Sequence, residues 1–294
     1  MSRCPGMYCG RTPLESGNLS ECGACPRGFR SNSSSICELC KDNPIFYDWL
    51  YLGFIVITVC VLHLFCINTT ARKKGLVLHI CAIVETVAAA ILTVLVVDPV
   101  GDFSVRSCHT HHLSDWYTLF HNPSPQYEKT LHCTQEAVYP LYTMVFMFYA
   151  IAVSLMLLIR PWVAGHFLPM SGKLSIYAAM YFFPLLSLVH AAFGGLIYFS
   201  FPYIIIVLSV ISNAAHYALE LDQSMSALVL STFTDTGNVV TVLVHWALNA
   251  YGIISITQLT EPLTHSLLIL LVPTPTVFYI LTARFTDPKK LHAD

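Results

Sequence analysis

Residues 174–219 read LSIYAAMYFFPLLSLVHAAFGGLIYFSFPYIIIVLSVISNAAHYAL and hold no Asp, Glu, Lys or Arg. A helix rises about 1.5 Å per residue, so one straight helix over this run would be about 69 Å long. That is more than twice the roughly 30 Å hydrocarbon core of a bilayer. The run is expected to turn back at Ser200-Phe201-Pro202, because Pro suits the first turn of a new helix and not the interior of one. This gives one span over 174–198 and another over 203–219. Outward from here, apolar runs of spanning length lie at 47–67, 76–97 and 138–159 on one side and at 238–256 and 263–283 on the other. The expected fold class is an all-α integral membrane protein of about seven transmembrane helices over 46–283. Pro184, Pro273 and Pro275 fall inside spans, where kinks are tolerable if neighbouring helices satisfy the freed carbonyls.

Composition agrees. Hydrophobic residues make up 55% of the 294 positions and charged residues 11%, with a mean hydropathy of +0.62. A soluble domain carries roughly 25% charged residues, so most of this surface is not made for water. No dense Lys/Arg cluster is present to grip phosphates, which excludes nucleic acid as a partner. Met1 to Lys41 contains no apolar core of a cleavable signal peptide, so the first run, near Phe46, is expected to serve as the targeting signal.

Basic residues set the orientation. Arg72, Lys73 and Lys74 follow span one, Arg160 and Lys173 follow span three, and Arg284, Lys289 and Lys290 follow span seven. With seven spans all eight share one side, whereas the much longer loop 98–137 holds only Arg106 and Lys129. The eight are therefore expected in the cytosol, with the tail 284–294. The N-terminal domain, residues 1–45, and the loop 98–137 are expected to be lumenal. The stretch from Asp222 to Gly237 reads as a cytosolic interfacial loop.

Six of the eleven cysteines lie in the first 40 residues: Cys4, Cys9, Cys22, Cys25, Cys37 and Cys40. Two CxxC pairs at this spacing suit a tetrahedral zinc site in a reducing compartment, or a disulfide scaffold in an oxidising one. The lumenal orientation favours disulfides. Six cysteines allow about 15 pairings, and spacing does not choose among them. A segment of about 40 residues cannot bury enough apolar surface to fold without such staples. Cys108 and Cys133 share the polar loop and are expected to bridge each other. His109, His111 and His112 beside them could ligate a metal, but a solvated loop is the plainer reading. Asn18 and Asn32 sit in glycosylation sequons.

Glu85 lies near the middle of span two. Ionisable groups in spans are functional candidates, and His63, His79, His190, His216 and His245 lie in or near spans. A transporter or channel could relay protons or ions through them. The plainer reading is that Glu85 bonds a neighbouring helix through His190 or His245. Arg72-Lys73-Lys74-Gly75-Leu76-Val77-Leu78 has the form of a kinase docking motif, although Leu76 and Leu78 also open span two. Enzyme motifs such as G-x-S-x-G, H-E-x-x-H and G-x-x-x-x-G-K-[ST] are absent, so no catalytic residue, metal or cofactor is expected. A heptahelical receptor is poorly supported. Span three ends Leu158-Ile159-Arg160-Pro161 without that family's acidic-Arg-aromatic triplet, and span seven has no Asn-Pro-x-x-Tyr.

A family resemblance runs through the chain in order. It is carried by Cys22-Gly-Ala-Cys-Pro-Arg-Gly28, Tyr47-Asp-Trp-Leu-Tyr-Leu-Gly53, Asp98-Pro-Val-Gly101 and Leu113-Ser-Asp-Trp-Tyr-Thr118. Further on it is carried by Asn122-Pro-Ser-Pro125, Glu136-Ala-Val-Tyr-Pro-Leu-Tyr142, Ala250-Tyr-Gly-Ile-Ile-Ser-Ile256, Val272-Pro-Thr-Pro275 and Phe285-Thr-Asp-Pro288. These resemble the JNK-associated membrane protein family. The resemblance implies a non-enzymatic multi-pass protein of the endoplasmic reticulum that recruits proteasomes and degradation (ERAD) components to clear misfolded proteins. It also implies binding of the stress kinase JNK, and a membrane-anchored RING-type ubiquitin ligase as partner. Arg72, Lys73, Lys74, Arg284, Lys289 and Lys290 are the candidate cytosolic contacts. The chain departs from the family in the stretch from Glu220 to Gly237, which lacks the family's basic residues.

Overall fold

The computed structural model describes residues 3–70, 76–121, 133–134, 136–167, 171–220 and 222–286. Arg72, Lys73, Lys74, Lys289 and Lys290 lie outside the described residues. By packing, the chain divides into two compact units, Met1–Tyr198 and Phe199–Asp294.

The first unit opens with a small head of two antiparallel ribbons. Strand β1 (Cys9–Gly10) pairs with β2 (Gly23–Ala24), and β3 (Phe29–Ser31) with β4 (Cys37–Leu39). Such short ribbons have little apolar surface to bury, and covalent ties hold them. Cys4 bridges Cys22 and Cys25 bridges Cys37 within the head. The expected Cys108–Cys133 bridge is not formed. Cys133 instead pairs with Cys9, and Cys108 with Cys40. The reason lies in the backbone: Ser107 N–H donates to the Asp42 carbonyl at 2.6 Å, adding the loop to the head as an isolated β-bridge that sets Cys108 beside Cys40. These bridges span sequence separations of 124 and 68 residues. Each restrains the chain by roughly 4 to 5 kcal/mol in the chain-entropy picture, more than a 25-residue loop would. Gly10 is required where it stands, since a Cβ there would come within 2.6 Å of Cys37 Sγ and 2.7 Å of Cys25 Sγ.

Helices α1 (Phe46–Thr70), α2 (Leu76–Val96) and α3 (Leu141–Phe167) follow, with α2 packed along α3 and against α1. Small residues on α2, Ala82 and Ala89, are fully buried and let the backbones approach, as expected between helices in lipid. Large apolar side chains such as Phe65, Ile80, Val84, Leu158 and Leu188 point outward. In water such a surface would aggregate; in a bilayer it is the solvent-facing side. Among the described residues six helical stretches are long and apolar enough to cross a membrane, and one of them, 46 residues over Lys173–Ala218, has the length of two crossings. The chain is an all-α membrane protein of six to seven spans with a disulfide-stapled amino-terminal head.

Three boundaries differ from expectation. Helix α4 (Ser171–Ala218) runs unbroken through Ser200-Phe201-Pro202, where a turn was expected. Pro202 has no N–H for the Tyr198 carbonyl four residues earlier, and the Tyr47 hydroxyl donates to that carbonyl at 2.8 Å. The boundary between the units nevertheless falls at Tyr198–Phe199, beside the expected turn. Helix α3 continues past Arg160 and Pro161 to Phe167, so Arg160 is not a loop residue. The stretch from Asp222 to Gly237 contains helix α5 (Met225–Thr234), capped by Ser224, and the start of α6 (Thr236–Thr257), whose Asp235 cap accepts from the Gly237 and Asn238 N–H groups.

In the second unit Tyr217, Leu228, Val242, Ile280 and Ala283 form the core. The last apolar run is three pieces: α7 (Pro262–Leu268), a 3-10 turn over Ile269–Leu271, and α8 (Thr274–Thr286). Pro273 and Pro275 cause the breaks. Pro275 cannot reach the Leu271 carbonyl, and the Thr274 hydroxyl donates to it at 2.6 Å. Non-reducing peptide mapping of the membrane-extracted protein should recover Cys9 joined to Cys133 and Cys40 joined to Cys108. A Cys108–Cys133 peptide would contradict this architecture.

Candidate functional site

Two polar constellations stand out in the first unit. The deeper one joins three helices. Arg160 of α3 is fully buried and its guanidinium pairs with the Glu85 carboxylate of α2, whose side chain is only 2% exposed. Arg160 Nη1 lies 3.1 Å from His63 Nδ1 of α1, and since a guanidinium only donates, that ring nitrogen accepts. The Cys81 thiol donates to the other Glu85 oxygen at 3.0 Å. Glu85 thus bonds a neighbouring helix, but through Arg160 rather than His190 or His245. Spacing alone could not give this partner. The signal that could was the apolar run continuing past Arg160 through Trp162 and Val163, which places a lone Arg opposite a lone Glu. Among the described residues Arg160 Nε is left without a partner, but the pair itself ties two helices in one register.

The second constellation lies at the head end of the bundle. The 3-10 helix Leu113–Trp116 of the loop is set by Asp115, which is 2% exposed. Its Oδ2 accepts from the His111 and His112 N–H groups at 2.9 and 3.1 Å, and its Oδ1 from Arg30 Nη2 and the Tyr8 hydroxyl, both at 3.2 Å. Arg30 also donates to the Cys108 carbonyl at 2.8 Å. Burial pushes the Tyr8 hydroxyl above its ordinary pKa, with Asp115 adding to it. So positioned, the loop lays Trp116 on Gly195 of α4, where a Cβ would come within 2.6 Å of the Trp116 Cβ. The indole meets Tyr51, Tyr142, His190 and Tyr198 edge-on or tilted, at centroid distances of 5.3 to 6.3 Å. His190 Nε2 lies 3.2 Å from the Tyr142 carbonyl, which can only accept, so Nε2 carries the proton and Nδ1 accepts from the Tyr51 hydroxyl at 3.3 Å. Asp48, fully buried, accepts from the Tyr198 hydroxyl at 2.7 Å and from the Ile45 N–H at 3.1 Å.

The remaining candidates are separate. His245 sits in the second unit 6.3 Å from His216 by ring centroid, and both His245 ring nitrogens and His216 Nε2 are sealed from solvent without a hydrogen-bond partner. Among the described residues no cluster of three or more His, Cys, Asp or Glu could hold a metal. His109 lies 3.6 Å from Asp42 rather than over its histidine neighbours' ring nitrogens. Asn18 is exposed, while Asn32 is tied into a turn, its Oδ1 accepting from the Ser34 and Ile36 N–H groups and its Nδ2 donating to Glu38. In the docking-like motif Leu76 is exposed but Leu78 is fully buried against Ile67 and Ala82, which makes it a core residue. Arg284 lies in α8, with its side chain outside the described set.

Removing one partner of the buried pair leaves an uncompensated charge. Arg160→Met should lower stability by about 3 to 5 kcal/mol, and the double change Glu85→Leu with Arg160→Met should recover most of it. Thermal unfolding of the detergent-solubilised protein measures this. A double variant no more stable than Arg160→Met alone would show that the two groups are not coupled.

Comparison with known proteins bears on the whole length. The profile of the JNK1/MAPK8-associated membrane protein family matches residues 4–288. The JNK1/MAPK8-associated membrane protein of Mus musculus is 46% identical over 301 residues, covering 98% of this chain and 95% of its own. That of Homo sapiens is 46% identical over 300 residues with the same coverage. The Caenorhabditis elegans homolog is 32% identical over 305 residues, covering 96% of this chain and 93% of its own. No solved structure matches significantly. Identity at this level over nearly all of both chains leaves one conclusion: the chain belongs to the JNK1/MAPK8-associated membrane protein family.

Proposed function

We propose that the chain is a non-enzymatic membrane adaptor of the endoplasmic reticulum, with its head in the lumen and its C-terminal tail in the cytosol. The observation that carries this reading is the sorting of the cysteines. Eight in the head and its loop are bridged, while Cys60, Cys66 and Cys81 in the spans are free. Disulfides of this density persist in an oxidising compartment, and the lumen is one. With 174–219 counted as two crossings, seven in all, the basic residues around Arg72–Lys74 and Arg284–Lys290 share the side opposite the head, the side of soluble partners. The vertebrate relatives are named for association with JNK1/MAPK8, and a JNK-type kinase is the first such partner. Burial of Leu78 speaks against residues 72–78 as its docking motif. The tail and the other cytosolic segments carry the contact. Proteasomes, ERAD components and a RING-type ubiquitin ligase complete the adaptor reading.

The second reading, a transporter or channel, draws on the unpartnered imidazoles of His216 and His245. Glu85 no longer supports it, because Arg160 already neutralises that carboxylate.

Proximity labelling from a C-terminal tag should enrich proteasome subunits and a JNK-type kinase over a tail-deleted control. A correctly localised protein that labels neither sinks the adaptor reading. The topology is read separately: an endoglycosidase-sensitive shift should depend on Asn18 more than on Asn32, whose amide is engaged in its turn. Glycan on Asn68 would place the head on the wrong side.

A further inference from the structure

Beside the 3-10 helix lies a cavity of about 440 Å³ whose wall includes Trp116, Tyr117, Phe120, Tyr142, Thr143 and Glu136. Tyr142 and Thr143 stand in the first turn of α3, whose apolar span begins at Leu141. The cavity therefore sits where the chain leaves hydrocarbon, at the depth of the headgroups, where aromatic side chains collect.

Its chemistry is one-sided. Four of the eleven residues that line it are aromatic, and an aromatic face carries a partial negative charge. Its two acidic lining residues are Asp115 and Glu136, and the Glu136 side chain is 17% exposed. Its Oε1 accepts from the Thr143 N–H at 3.2 Å. Its Oε2 has Arg27 Nε at 3.5 Å, on a side chain 62% exposed and so screened by water. Burial outweighs both and pushes the Glu136 carboxyl above its ordinary range. Asp115, which also borders the cavity, is already held by Arg30. An anion would be repelled by the Glu136 carboxylate and the aromatic rings, and a purely apolar guest would leave the carboxylate with only the Thr143 N–H and the exposed Arg27. A weakly hydrated cation satisfies both: aromatic walls with a carboxylate are the recognition chemistry of quaternary ammonium groups.

We propose that this cavity receives the choline headgroup of a bilayer phospholipid, with Glu136 as counter-ion and the rings of Trp116, Tyr117, Phe120 and Tyr142 as its walls. The lipid is the committed source because the cavity opens at the level where such headgroups lie. The site is independent of the adaptor reading and of any cytosolic partner.

The test uses the full chain, purified in detergent and supplied with equal amounts of phosphatidylcholine and phosphatidylglycerol, with bound lipid read by native mass spectrometry. Wild type should retain phosphatidylcholine over phosphatidylglycerol by about tenfold, the size of a desolvated cation–aromatic contact. Glu136→Gln should bring the ratio to within about twofold of parity, and Phe120→Ala, a change at a side chain 79% exposed, should lower it part of the way. Unchanged thermal unfolding and unchanged disulfide pairing show that both variants are folded. Parity in wild type, or an undiminished preference in Glu136→Gln, overturns the proposal. So does binding of tetramethylammonium by a wild type that shows no lipid preference, because the guest is then a soluble ammonium and not a headgroup.

Discussion

A backbone carbonyl that loses its helical partner inside hydrocarbon has no water to turn to. That constraint governs where this chain can bend and which side chains stand beside its prolines. Pro202 leaves the Tyr198 carbonyl without its usual donor, and Tyr47 of another helix supplies a hydroxyl. Pro275 does the same to Leu271, and Thr274 answers from within its own turn. The Val272 carbonyl, in the same broken segment, accepts from Asn249 at 3.0 Å. The polar residues scattered through the spans are placed by these needs, and so is much of the helix packing. Ser209, for example, donates to the His245 carbonyl at 2.8 Å, and Asn213 and Trp246 both donate to the Thr276 hydroxyl at 3.1 and 2.9 Å.

The same logic extends to charge. Glu85 and Arg160 are tolerable in the bundle only because each answers the other, with His63 and Cys81 taking further valences. At the head end the carboxylate of Asp48 is answered by Tyr198 and that of Asp115 by Arg30, Tyr8 and two backbone N–H groups. The result is a first unit fixed at two depths. One tie sits among α1, α2 and α3, and the other binds α1, α4 and the loop beneath the head. Side chains here are spent on register rather than left open to a pathway.

Much of this was legible in the sequence. The apolar runs announced a helical membrane protein of six to seven membrane-length helices, because hydropathy over about 20 positions is a long signal. Cysteine density announced a stapled head. Three features were not legible, each for a physical reason. Arg160 looked like a flanking charge because Pro161 follows it, yet a helix accepts Pro where its lost hydrogen bond can be replaced. The long-range bridges of Cys9 and Cys40 depend on a β-bridge between Asp42 and Ser107, which no local pattern encodes. The aromatic seat of Trp116 needs Gly195 to be bare, a requirement seen only when the two surfaces meet.

The nesting of the Cys40–Cys108 bridge inside Cys9–Cys133 has a consequence for biosynthesis. Cys40 must wait for Cys108, and Cys9 for Cys133, so the amino-terminal head cannot close when it first emerges from the ribosome. Two membrane helices are made and inserted before either partner exists. During that interval Cys9 and Cys40 stand as unpaired thiols beside four other cysteines that can already react. A disulfide formed too early must then be exchanged before the native pairs can close.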